Sequence, residues 1–177
     1  LRGAAAAGRG LIVVFVHLAN AIPLSRRVLS SLGRERYYVL GNLPGTDEMT
    51  ELERVMQITQ RAYEELESGG VVFVSSDGRL GAVSQPISFY GRALPLRRGF
   101  ADLALRSGAA VVALFGYAAL DGTITLEFCE LPTPTTDAET APVVQQYADM
   151  MIQRWPRLLP SMPWARLAWL QNLPKAQ

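Results

Sequence analysis

Few side chains in this sequence have the chemistry of a reactive site, and one of them stands alone. His17 is the only histidine, and it closes an unbroken apolar run over residues 11–16. A run of that kind reads as a strand buried on both faces of a parallel sheet. The crevice beyond the carboxyl end of such a strand is where open α/β sheets hold their ligands, so His17 is predicted at a ligand-binding edge. A second polar cluster, Ser75-Ser76-Asp77-Gly78-Arg79-Leu80-Gly81, follows another short apolar run and is expected at the same edge. Ser75 and Ser76 lack the G-x-S-x-G surroundings of a hydrolase nucleophile. No phosphate cradle is present, because Gly8 and Gly10 precede the first strand rather than follow it. One histidine and one cysteine, far apart, argue against a zinc site; Cys129 reads as a small buried hydrophobe.

The remaining candidates are arginines, a residue suited to planar, bidentate partners such as phosphate or carboxylate. Lys175 is the only lysine, a bias that a GC-rich genome explains equally well. Gly91-Arg92 follows an extended segment and is expected to present a guanidinium near the His17 crevice, or else to close a turn. Arg97-Arg98 precede a helix and offer positive charge to an anionic headgroup or a carrier protein, or form a solvated helix start.

Those side chains need a scaffold. Pro23 opens a helix carried by Leu24, Val28, Leu29 and Leu32 and stopped by Gly33. Residues 36–40 read as a second strand and 41–47 as a loop, with Thr46 or Asp47 capping a helix that ends at Gly69-Gly70. Residues 71–74 form a third strand, 86–90 are extended, and 98–107 are helical up to Gly108. Residues 110–117 are a further buried strand, paired through the Asp121-Gly122 turn with an alternating antiparallel strand over 123–128. Residues 131–142 read as a connector and 141–155 as a last helix. The expected fold is a single α/β domain over residues 1–177, with a mostly parallel sheet and an antiparallel edge hairpin.

At 177 residues the chain is long enough for one real core, and a formal charge of +1 argues against a nucleic-acid partner. No apolar run reaches the roughly 20 residues that span a bilayer. The chain starts at Leu1 with an alanine-rich run that reads as a helix end, compatible with an upstream anchoring segment. The C-terminal stretch with Trp155, Trp164 and Trp169 among arginines suits either a membrane surface or packing on the sheet.

Taken in order, Gly8-Arg9-Gly10, His17-Leu18 with Asn20, Asp77-Gly78, Phe89-Tyr90-Gly91-Arg92, the block from Gly99 to Val112, and Asp121-Gly122 resemble the lysophospholipid acyltransferase superfamily. The branch is that of the late acyltransferases of lipid A biosynthesis and the phosphatidylinositol mannoside acyltransferases. The resemblance implies transfer of a fatty acyl group from a thioester of acyl carrier protein or coenzyme A to a hydroxyl of a lysolipid or glycolipid. It implies no bound cofactor, peripheral membrane contact and a cytoplasmic location at the inner face of a bacterial membrane. His17 corresponds to the family's general base, and Gly91-Arg92 falls where a phosphate or carboxylate of the acceptor would be held; Asn20, Arg97 and Arg98 are the further candidates for substrate binding. The family places an acid five residues after that histidine; here the position is Ile22, which accepts no hydrogen bond. Three readings follow: Asp77 supplies the missing carboxylate, so that His17 and Asp77 are the catalytic pair; the protein keeps the fold as a lipid-binding or scaffolding module; or His17 is structural.

Overall fold

The computed structural model describes residues 9–16, 21–31, 33–41, 49–77, 83–119 and 121–158. In chain order the elements are β1 (Leu11–Phe15), α1 (Ala21–Ser30), β2 (Tyr37–Val39), α2 (Glu51–Glu67), β3 (Val71–Ser75), β4 (Ser84–Phe89), β5 (Arg92–Arg97), α3 (Gly99–Ser107), β6 (Ala110–Ala118), β7 (Ile124–Leu131) and α4 (Asp137–Leu158). Five strands form one sheet in the order β2-β3-β1-β6-β7, and β4-β5 form a separate two-stranded sheet. β1 is flanked on both sides by parallel partners, β3 and β6, and every one of its residues is buried. With both faces covered there is no solvent side to carry polar residues, which is why its sequence does not alternate. β7 closes one edge antiparallel to β6, and only Leu131 of its residues is buried.

The last turn of α2 packs against the start of β1 at Gly10. A Cβ at Gly10 would lie 2.5 Å from the Leu66 carbonyl oxygen and 2.7 Å from the Leu66 Cα. Both are backbone atoms, so the helix reaches the sheet only because residue 10 has no side chain. Glu65 is buried beside it; its carboxylate lies 3.5 Å from the Arg36 Nε and occupies the space a side chain at Gly70 would need.

The cap of α2 differs from the expectation. Residues 42–48, including Thr46 and Asp47, lie outside the described residues, and the cap is Thr50. Its side chain accepts from the Glu53 amide, while the Glu53 carboxylate accepts from the Thr50 N–H at 2.9 Å, a reciprocal capping box. Because the pair satisfies two otherwise orphaned donors, Thr50→Ala is expected to destabilise the fold by about 1 kcal/mol. That corresponds to a Tm lowered by about 2–4 °C; an unchanged Tm would mean the first turn is held from elsewhere.

Residues 92–97 are a strand that sequence reading passed over. The turn is Tyr90-Gly91 rather than Gly91-Arg92, with φ of 48° and 72°. Positive φ at both central residues is the type I′ geometry that matches hairpin twist. Ile87, Phe89, Leu94 and Leu96 are buried, and Phe89 meets Trp155 of α4 edge-on with ring centroids 4.7 Å apart. The last helix also starts earlier than expected, at Asp137, so the expected connector ends before it and Pro142 sits inside the helix.

Candidate functional site

The parallel register fixes which chain segments leave the carboxyl edge together. Phe15 is level with Ser75, so His17 and Asp77 each follow these partners by two positions. His17 and Asn20 lie outside the described residues. On the described side of the edge, the Ser76 amide donates to the Phe15 carbonyl at 2.9 Å and the Arg97 amide donates to the Ser76 carbonyl at 2.9 Å. The Ser75 hydroxyl donates to the Asp77 carboxylate at 2.6 Å, which fixes one of its oxygens. Below this turn the Ser76 hydroxyl sits 3.3 Å from the Phe15 carbonyl and 3.1 Å from the Tyr147 hydroxyl. Tyr147 comes from α4, is fully buried, and packs against Phe100 and Phe115. Burial pushes its phenol well above the ordinary value, and the Asp77 charge adds to the shift, so it stays protonated. Ser76 is weighed in the sequence only as a nucleophile and Tyr147 is not singled out; the i, i+3, i+4 pattern of Val144, Tyr147, Ala148 and Met151 marks Tyr147 as facing inward but not what it meets.

Beside this turn runs a groove of about 320 Å³ between α2 and α3. Leu40, Val55, Ile58, Tyr63, Val74, Val83 and Leu103 supply most of its wall; Ser75, Arg97, Asp102 and Arg106 are among the polar residues. Its volume is at the small end of the range for organic-ligand sites. α2 leads from the carboxyl edge of β2 to the start of β3, and α3 leads from the end of β5, held at that edge by the Arg97–Ser76 bond, to the start of β6, so both run away from that edge. Ser75, Val74 and Arg97 therefore form the edge end of the groove, directly next to Asp77. Tyr63 and Arg106 line the far end; burial raises the Tyr63 phenol above its ordinary value, and the nearby Arg106 charge opposes that shift.

The remaining predicted residues separate. Arg97 reaches the edge and lines the groove. Arg98 is tied to protein carboxylates, with ion pairs of 2.8 Å to Asp102 and 2.9 Å to Asp137 that join α3 to α4. Gly91 and Arg92 are at the turn end of the hairpin, where Arg92 pairs with Phe89 while Arg97 pairs with Ser84. Five residue steps of strand, about 17 Å, separate Arg92 from Arg97, so the hairpin brings Arg97, and not the turn, to the sheet edge. Ile22 is the second residue of α1.

A polar cluster fastens α4 to the edge strand. Arg154 donates to the Glu127 carboxylate through Nε at 3.0 Å and through a terminal nitrogen at 2.6 Å, and the Tyr117 hydroxyl donates to its other oxygen at 2.7 Å. Cys129 lies 3.4 Å from both Arg154 and Glu127; it is half-buried rather than sealed in the core, and burial pushes its thiol up. The Arg154 guanidinium holds Glu127 down at about 2, whereas burial, reinforced by Glu127, pushes Tyr117 up to about 12. A depressed carboxylate stabilises the fold above its ordinary value of 4.5, and that contribution is lost as pH falls from there through about 2. With a third of the side chain exposed, the discounted contribution is about 1–2 kcal/mol. Urea midpoints from pH 6 to 2 are expected to fall more steeply for the parent than for Glu127→Gln; parallel curves would contradict this.

Among the described residues no helix is long and apolar enough to cross a membrane, and no three of His, Cys, Asp and Glu converge as a metal site would require. Comparison with protein-family models found no match, and comparison with the curated proteins found none.

Proposed function

We propose that this chain transfers a fatty acyl group from an acyl thioester, of acyl carrier protein or coenzyme A, to a hydroxyl of a lysolipid or glycolipid at the surface of a membrane. The observation that carries the reading is the contact between the groove and the edge turn. An apolar groove ends at Ser75, whose hydroxyl grips the carboxylate of Asp77, and Asp77 follows β3 by the same number of positions as His17 follows β1. Hydrocarbon in the groove would bring a carbonyl carbon to the one edge where a histidine and a carboxylate leave neighbouring strands.

In this mechanism the His17 imidazole takes the proton of the acceptor hydroxyl as its oxygen attacks the thioester carbon. The carbon–sulfur bond breaks, and the thiolate leaves with the proton carried by the imidazolium. Asp77 holds the imidazole in the tautomer that accepts that proton and stabilises its charged form, the part an acid plays in a Ser-His-Asp triad. Arg97, at the groove's edge end, supplies positive charge for a phosphate or carboxylate on donor or acceptor.

A second reading rests on Ile22, which stands where the resembling family carries its acid: a lipid-binding module that no longer transfers. Purified protein incubated with acyl coenzyme A and a panel of lysolipids separates the two. Thiol release that depends on acceptor, with formation of the acylated lipid, supports transfer. Lipid binding without thiol release supports the module.

A further inference from the structure

We infer that Tyr147 and Ser76 are positioning residues for the His17–Asp77 pair: their buried hydroxyls lock together the two chain exits that carry the imidazole and the carboxylate. The inference rests on those two groups working as a pair, as in the transfer reading. Ser76 stands between the exits. It immediately precedes Asp77, its amide donates to the Phe15 carbonyl at 2.9 Å, and its own carbonyl accepts from the Arg97 amide at 2.9 Å. Its hydroxyl lies 3.3 Å from the same Phe15 carbonyl and 3.1 Å from the Tyr147 hydroxyl. The carbonyl can only accept, so the protons run as a chain from phenol to serine to carbonyl. Phe15 is two residues before His17. One end of this chain therefore holds the exit from β1, its middle holds the exit from β3, and its root is on α4.

Packing alone does not call for those hydroxyls. Tyr147 and Ser76 are both fully buried. The Tyr147 ring is already held by Phe100, edge-on with centroids 5.6 Å apart, and by Phe115, stacked at 6.1 Å, and a phenylalanine would keep those ring contacts. Two hydroxyls taken out of water gain little net stability from bonding one another, although either is costly if left alone. What a mutually satisfied buried pair adds is a fixed geometry, and here that geometry is the height of Asp77 relative to residue 17. The Ser75 hydroxyl, 2.6 Å from the Asp77 carboxylate, then aims that carboxylate from a turn that cannot slide.

The test separates geometry from stability. When Tyr147→Phe and Ser76→Ala are combined, both hydroxyls leave together and no buried partner is orphaned, so Tm is expected within about 3 °C of the parent. Ser76→Ala alone strands the phenol and is expected to melt lower. His17 is the only histidine, so ¹⁵N NMR of the imidazole reports its tautomer without any turnover. At a pH where the ring is neutral the parent is expected in a single tautomer, and that preference is expected to be lost in Asp77→Asn and in the double variant. Acyl transfer by the double variant is expected to fall by about 10–10²-fold, in kcat rather than KM, and the same two changes made in Asp77→Asn should lower the rate no further. Tyr147→Phe alone, which keeps the ring and strands no hydroxyl, carries the same readouts should the double variant melt early. Mixed tautomers in the parent, a single tautomer kept in the folded variants, or full additivity with Asp77→Asn would overturn the inference. A single tautomer in the parent, lost in the variants, in a protein that transfers nothing would sustain the positioning role while removing the transfer reading.

Discussion

Gly10→Ala is expected to cost about 3 kcal/mol, a large fraction of the stability of a domain this size, and to lower Tm by about 6–12 °C. The added methyl would stand 2.5 Å from the Leu66 carbonyl oxygen and 2.9 Å from its carbon. No side-chain rotation relieves a contact with backbone; the end of α2 must lift from β1, and every buried residue of that helix end moves with it. Ala62 and Leu66 belong to the same core cluster as the β1 strand itself, so the displacement opens a gap where packing is dense. Gly99→Ala is the control. It starts α3 with no atom within 4 Å of an added Cβ, and alanine there is expected to be neutral or mildly stabilising. Equal Tm values for Gly10→Ala and the parent would mean that α2 does not depend on that close approach.

Asp77→Asn is the second large effect, and it is kinetic. The amide oxygen still accepts from the Ser75 hydroxyl, so the edge turn keeps its shape and Tm should change little. Acyl transfer is expected to fall by about 10⁴-fold, about 5 kcal/mol of barrier, the scale of the same exchange in a Ser-His-Asp triad. A purely structural carboxylate would not alter the pH profile, whereas one facing His17 would. Losing the negative charge lowers the imidazole pKa, so the acid limb of the rate profile should move to lower pH. A tenfold effect with an unmoved limb would leave Asp77 as a turn residue and His17 without its carboxylate.

The parts of this architecture that were readable in the sequence are those in which burial leaves a one-dimensional trace. β1 and β3 are covered on both faces and read as continuous apolar runs; Asp121-Gly122 turns β6 into β7, and Gly108, with φ of 65°, ends α3. β5 was not readable because Pro95 interrupts R-A-L-P-L-R, and proline removes a ladder donor. It is tolerated here because Pro86 and Pro95 are register partners in a sheet of two strands, both of them edges. Pro142 misled in the same way, suggesting a connector where α4 already runs. The Thr50-x-x-Glu53 box was present as a capping signal, but nearby Thr46 and Asp47 offered the same residue types one turn earlier. The groove left no trace at all. Its wall is drawn from Leu40, α2, the end of β3, Val83, Arg97 and α3, and no local pattern records that such distant stretches enclose a common space. The edge pairing of Ser76 with Tyr147 is of the same kind, a contact between residues far apart in the chain.

We propose that His17 takes the acceptor's proton as an acyl chain passes from sulfur to oxygen. The most direct measurement of that step is the rate of acylated-lipid formation from acyl coenzyme A and a lysolipid, for the parent and for His17→Ala at equal folded concentration. Product is expected from the parent, with a loss of about 10⁴-fold or more in the variant. Product formed as fast by His17→Ala as by the parent would contradict the proposal.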